Sequence, residues 1–278
     1  MTQKFTLNVL TSALCLFSSL YSAAHINEKE PNPSEIRLVP VMPTPEPEFA
    51  KTLIVFPAEG EVKSKNPINI QVQEQGFPLG VNSDFLRARE IYNNKRGQSL
   101  HVIVDNHPYF VVYQELVDAL DDNEIYFDQT LNFDVPFNLE PGMHVIRMFP
   151  VRSFNESLKG DGCYAARTFY FKTKKNNPEI NLSIPYLTYN QPQGRYPTSS
   201  QPILLDFYIS NCELSKDGYK VKVTIDNEVI RYLTLWTPYY IYGLTKGSHK
   251  IQLELIDPQN KPVVGMYNNM QQIITIED

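Results

Sequence analysis

Hydrophobic and polar residues alternate with a period of two along most of this chain. Ile68, Ile70 and Val72 alternate with Asn69, Gln71 and Gln73, and Val221, Val223 and Ile225 with Lys220, Lys222 and Thr224. Ile251, Leu253 and Leu255 alternate with Lys250, Gln252 and Glu254. Strict alternation over about six residues predicts strands that are apolar on one face only. Helical spacing is confined to Phe85–Tyr92 and Gln114–Leu120, so the pattern predicts an all-β protein. The alternation begins at Thr52. Before it, His25–Ala50 carries Pro31, Pro33, Pro40, Pro43, Pro45 and Pro47 among acidic residues, with no hydrophobic period. Residues 25–50 therefore read as a Pro/Glu-rich linker, an extended spacer or a disordered mature terminus.

The predicted strands recur in order. Leu139-Glu140-Pro141-Gly142-Met143-His144-Val145-Ile146 returns as Leu244-Thr245-Lys246-Gly247-Ser248-His249-Lys250-Ile251, the pattern L-x-x-G-x-H-x-I. Upstream, Val102–Asn106 answers to Val223–Asn227, and Pro67-Ile68 to Pro202-Ile203. Such self-similarity sets the architecture: two tandem immunoglobulin-like antiparallel β-sandwich domains, residues 51–175 and 180–278. Asp105 and Leu139 lie 34 positions apart and Asp226 and Leu244 only 18, so the first copy carries an insertion. A second insertion spans Phe77–Gln98. Pro141-Gly142 has the signature of a type II turn. His144 and His249 share parity with core positions, which makes each a space-filling, hydrogen-bonded strand-entry residue rather than a metal ligand or base. Asp105-Asn106 and Asp226-Asn227 suit tight hairpins.

Composition narrows the class. The 278 residues are 42% hydrophobic, enough for a substantial core, and carry a net charge of −6 without a basic run, which argues against nucleic acid as a partner. Residues 1–24 read as a signal peptide: Lys4, an apolar run from Leu10 to Leu20, and Ser22-Ala23-Ala24 as the cleavage site. Cys15 raises a lipoprotein alternative, but Leu14 precedes it where a small residue belongs. Nothing else is long and apolar enough to span a membrane. The expected location is exported: periplasmic, cell surface or extracellular.

Catalytic and cofactor motifs are absent: no G-x-S-x-G, H-E-x-x-H, C-x-x-C or phosphate-binding glycine loop occurs. No catalytic residue, metal site or cofactor is expected. Asp118, Asp121, Asp122 and Glu124 lack the spacing of a calcium loop and read as a solvated face. Trp236, Tyr239, Tyr240 and Tyr242 suit either a sugar platform or a strand with alternate rings in the core, with the core favoured. Domains stacked end to end would hold Cys163 and Cys212 roughly 33 Å apart along a ten-residue strand. A disulfide needs Cα atoms within about 7 Å, so no bond is expected.

On the order strand, Asp-Asn turn, L-x-x-G-x-H and amphipathic strand, residues 51–278 resemble bacterial extracellular Ig-like and fibronectin-type-III-like modules. The chain departs from antibody-type domains, since no within-domain cysteine pair flanks a tryptophan. The resemblance implies a non-enzymatic spacer, adhesion or ligand-binding module with a protein or polysaccharide partner. A periplasmic assembly chaperone or accessory module is the alternative, and a carbohydrate-active enzyme a more distant one. In the stacked arrangement the insertion Phe77–Gln98 and the loop Ser153–Gly162 emerge at a tip away from the second domain. That tip gathers Phe85, Arg87, Arg89, Tyr92, Arg96, Phe154 and Lys159, the expected binding cluster.

Overall fold

A computed structural model describes residues 35–113, 128–175 and 180–278. Its first strands are β1 (Arg37–Pro40), β2 (Lys51–Phe56), β3 (Val62–Lys63) and β4 (Asn69–Gln75), followed by the short helix α1 (Arg87–Glu90). Then come β5 (Ser99–Val104), β6 (Phe110–Val112), β7 (Gln129–Asp134), β8 (Gly142–Val151) and β9 (Ala165–Phe171). The second run comprises β10 (Tyr186–Gln191), β11 (Gly194–Pro197), β12 (Ile203–Ser210), β13 (Lys220–Ile225) and β14 (Glu228–Leu233). It ends with β15 (Tyr239–Tyr242), β16 (Gly247–Ile256) and β17 (Asn269–Glu277). The protein is all-β, and α1 lies within the helical window expected at 85–92. The window at 114–120 and the acidic run at 118–124 lie outside the described residues.

The strands form two sandwiches built on one plan. Sheet β2-β4-β7 faces β3-β9-β8-β5-β6 across a core that includes Ile70, Val102, Ile146 and Phe169. Sheet β1-β15-β12-β10 faces β11-β17-β16-β13-β14 across a core that includes Phe207, Val223, Ile251 and Ile274. The repeat persists in register: His144 lies opposite Phe169 as His249 lies opposite Ile274. It persists in the loops too. Pro67 and Pro202 both follow cis peptide bonds, and the preceding amides, Asn66 and Gln201, donate to the carbonyls of the repeated Leu139 and Leu244. One turn differs from expectation. Gly142 has φ +148° and Gly247 φ +135°, where the third residue of a type II turn sits near +80°. Each glycine opens its strand in a backbone region that other residues avoid.

The sandwiches do not stack end to end; they pack face against face within the compact unit Pro33–Asp278. Sequence dictates the packing. The outward row of β8 reads Val145, Arg147, Phe149 and Val151, so β8 is apolar on both faces and buried along nearly its whole length. The corresponding row of β16 reads Lys250, Gln252, Glu254 and Ile256, polar except at its end, and its Lys250 and Gln252 stay partly exposed. One matched pair captures the divergence: His101 lies opposite Phe149 in the first sandwich, whereas Lys222 opposite Glu254 forms an ion pair in the second. Ile103, Phe149 and Val151 therefore dock on Tyr208, and Val145 on Tyr186 and Tyr267. Arg147, only 1% exposed, lies 3.8 Å above the Tyr267 ring and donates to Thr188.

Residues 35–50 are not a free linker. They form a strap, with β1 pairing antiparallel to β15 of the second sandwich and Leu38 entering its core. The chain then crosses to the first sandwich, where Thr44 donates from its N–H (2.9 Å) and hydroxyl (2.6 Å) to Glu156. Prolines suit this path because an edge strap leaves many N–H groups without a ladder partner.

Both Cys163 and Cys212 are free thiols, as expected, although the stacked geometry behind that expectation does not hold. Burial pushes the Cys163 thiol up to about 12 and the Cys212 thiol up to about 11. Slow alkylation of the native protein follows, with both thiols labelled after unfolding without reductant. Intact mass checks this, and a pair blocked without reductant would contradict it.

Candidate functional site

The histidine corners are the most closely repeated side-chain geometry in the protein. His144 Nδ1 is 2.7 Å from Asp105 Oδ2 and Nε2 is 2.7 Å from the Glu140 carbonyl. His249 makes the same contacts to Asp226 and the Thr245 carbonyl, also at 2.7 Å. The other oxygen of each aspartate accepts the backbone N–H of the residue after the histidine, Val145 or Lys250. A carbonyl and a carboxylate can only accept, so both ring nitrogens donate and the ring is an imidazolium. Burial opposes that charge at His144, but the Asp105 hydrogen bond and the Glu140 carbonyl outweigh it and raise the pKa. With both nitrogens occupied, neither histidine has a lone pair for a metal or a proton transfer. The corners are structural.

The expected tip is divided by the face-to-face packing. Arg87, Phe154 and Lys159 lie at the junction, which corrects their placement at a tip remote from the second sandwich. Arg87 pairs with Glu156, donates through Nε to the Tyr240 hydroxyl (3.1 Å) and reaches Thr44 and the Met42 carbonyl on the strap. Phe154, 1% exposed, packs with Ile91 against Leu204 and Tyr240. Lys159 Nζ lies 2.5 Å from Asp206 Oδ1 on β12. Phe85 is half-buried, with the Arg152 guanidinium 4.5 Å from its ring centroid. Arg89, Tyr92 and Arg96 remain exposed. Tyr92 stands edge-on to Tyr196 at 6.4 Å, and the Arg96 guanidinium lies 3.8 Å above the Tyr113 ring. Tyr113, also bonded to Asn94, joins this surface without having been singled out from sequence.

Behind this surface runs a buried polar network linking the sandwiches. Asp206 accepts from the Ser157 hydroxyl (2.6 Å), Asn190 Nδ2 (2.7 Å) and Lys159. Asn190 also faces His101 Nδ1 at 2.7 Å, and the His101 ring stacks on Tyr109 with centroids 3.9 Å apart. Sequence gave little sign of these partners, because each polar residue sits singly on an otherwise ordinary strand.

The described residues contain no group of three metal-ligating side chains. Burial pushes Glu74 up to about 8; its side chain is buried on the core-facing side of β4, where it accepts the Thr52 hydroxyl. Tyr239 lies in the second core, and Trp236 and Tyr240 pack at the junction, so the ring-in-core reading holds over a sugar platform. No helix in the described residues is long and apolar enough to cross a membrane.

No family model matches the chain, and no curated protein matches it. Among solved structures it is similar to the fibronectin(III)-like modules of Clostridium thermocellum CbhA, at 12% identity over 81% of this chain and 94% of that one, TM-score 0.27. Immunoglobulin domains 1–4 of Sidekick-1 match at 12% identity over 82% of this chain and 50% of theirs, TM-score 0.22. CBD12 from CALX1.2 matches at 7% identity over 81% and 99%, TM-score 0.20.

Proposed function

We propose that this chain is an exported, non-catalytic binding module of a cell envelope or surface, with residues 51–175 and 180–278 as its two domains. The observation that supports a binding role is the exposed basic and aromatic surface of Arg89, Tyr92 and Arg96, to which Tyr113 contributes. It stands on a protein of net charge −6. Insertions carried on a rigid scaffold are where recognition usually resides. Planar guanidinium groups beside exposed tyrosine rings suit carboxylate or sulfate groups on a polysaccharide, through paired hydrogen bonds and ring stacking. Lys95, also exposed, adds a further cation to the same segment.

The test is affinity electrophoresis or titration with a uronic-acid or sulfated polysaccharide. Charge reversal R89E/R96E is expected to weaken binding at least tenfold, and Tyr92→Ala to weaken it further. The charge reversal leaves the junction untouched, so its stability should stay within about 0.5 kcal/mol of the parent, whereas Tyr92→Ala also removes the edge-on contact with Tyr196 of the second sandwich. Binding that survives charge reversal would remove this surface from consideration. N-terminal sequencing of the mature protein tests export, with His25 expected as the first residue.

A further inference from the structure

We propose that the junction between the sandwiches is an acid-sensitive latch, closed by a neutral His101 and released when that ring is protonated. The inference is independent of the polysaccharide reading.

The tautomer follows from geometry. Asn190 Nδ2 donates to the Asn155 carbonyl (2.9 Å), which can only accept, and to Asp206 Oδ2 (2.7 Å). Both hydrogens of that amide nitrogen are thereby used, and its orientation is set. The oxygen turned toward His101 is an acceptor, so His101 Nδ1 must carry a hydrogen. The second proton has to go on Nε2. That atom is buried and has no hydrogen-bond partner among the described residues.

The surroundings offer the charged ring little help. Tyr109, from the β5–β6 connection, covers one face, and Phe149 of β8 stands 6.2 Å away. From the second sandwich, Asn190 of β10 spends its oxygen on Nδ1, and Asp206 of β12 is the nearby anion. Asp206 is already paired with Lys159 and accepts the Ser157 hydroxyl, so its charge is largely committed. The Tyr109 hydroxyl accepts from Gln191 Nε2 at 2.6 Å, and burial pushes it up to about 12, so it supplies no charge near neutrality.

Burial accordingly holds His101 down to about 4, against partial support from Asn190 and Asp206. The sign follows directly. An open junction hydrates the ring and restores a pKa near 6.5, so the open state binds more protons between about 6.5 and about 4. Closure is fully favoured above 6.5 and weakens as pH falls through that window, by up to about 300-fold in the closing equilibrium. The cores of the two sandwiches contain no part of this network, so each can persist while the latch opens.

Trp236, the single tryptophan, is a built-in reporter at the junction, 5.1 Å from the Tyr208 ring. Its fluorescence and the small-angle X-ray scattering radius of the intact chain should both shift on acidification from pH 7 to 4, with far-ultraviolet circular dichroism retained. His101→Asn, which keeps a donor toward Asn190 and cannot gain a charge, should move the transition below pH 4. Nitrogen-15 spectra of the wild-type ring should show a neutral Nδ1–H tautomer at pH 7 that titrates below 5, a readout independent of any variant. An Nε2–H tautomer, titration at 6.5 or above, or the same transition pH in His101→Asn would overturn the proposal.

Discussion

Glu156→Ala is expected to destabilise the protein by about 3–5 kcal/mol, the largest effect of any single polar replacement considered. Glu156 is 3% exposed, accepts both donors of Thr44 and pairs with Arg87. Removing it leaves the Arg87 guanidinium buried without its counter-charge and takes away one of the strap's anchors on the first sandwich, where Arg152 to the Pro45 carbonyl and the Lys159 N–H to Glu46 remain. Arg87→Ala should cost nearly as much, since it removes the counter-charge of the buried carboxylate and a donor to the Met42 carbonyl, although the Tyr240 hydroxyl keeps Glu90. The paired replacement Arg87→Met with Glu156→Leu should recover only part of the loss. It removes both charges, but the Thr44 N–H remains without a partner, at about 1–3 kcal/mol. Urea unfolding of the parent, the two alanine variants and the double alanine variant closes the cycle, and a double loss equal to the sum of the single losses would show that the pair is not coupled. Limited proteolysis supplies a local readout, with the single variants cut faster between residues 41 and 50.

Asp226→Ala and Asp105→Ala should each cost about 2–3 kcal/mol, because one carboxylate secures both a histidine and the backbone N–H of the next residue. The pH dependence separates this corner from ordinary packing. Burial alone would raise Asp226, but the His249 hydrogen bond and the Lys250 N–H overcome it, and the folded-state pKa lies below the usual 3.8. The aspartate's contribution is therefore present above about 3.8 and lost as pH falls through the folded value. His144 has the opposite sense. Its folded pKa is raised, so its contribution is complete below 6.5 and disappears as pH rises through the folded value. Thermal unfolding of Asp226→Ala across pH 2–9 should show a shallower acid limb than the parent, and His144→Ala a shallower alkaline limb. Parallel profiles in all three proteins would reduce the corners to simple space filling.

The fold class was legible because half-buried strands impose a period of two, which β13 displays throughout and β16 from His249 to Leu255. The repeated corner was legible because its backbone demands recur: a glycine where φ is positive, an aspartate in the turn before, a histidine at the strand entry. The sandwich contact was written in the chain as well, in the failure of β8 to alternate: Val145, Phe149 and Val151 fill the row that Lys250 and Glu254 occupy in the second copy. Its meaning was hidden, because an apolar row states that it must be covered and not what covers it. The expected binding cluster was misplaced for the same reason. Arg87 and Lys159 look like surface cations in sequence, and become junction residues only because Glu156 and Asp206 are there to receive them.

Sequence by itself thus determined the elements, the repeat and the residues of each core, since these follow from local periodicity and from backbone conformations that few residues tolerate. Tertiary structure alone decided how the two sandwiches meet, that the proline-rich strap binds across both, and which cations of the insertion stay free. Those outcomes depend on pairings such as Arg87 with Glu156, Lys159 with Asp206 and His101 with Asn190. Their partners are distant in the chain, and no local pattern encodes them.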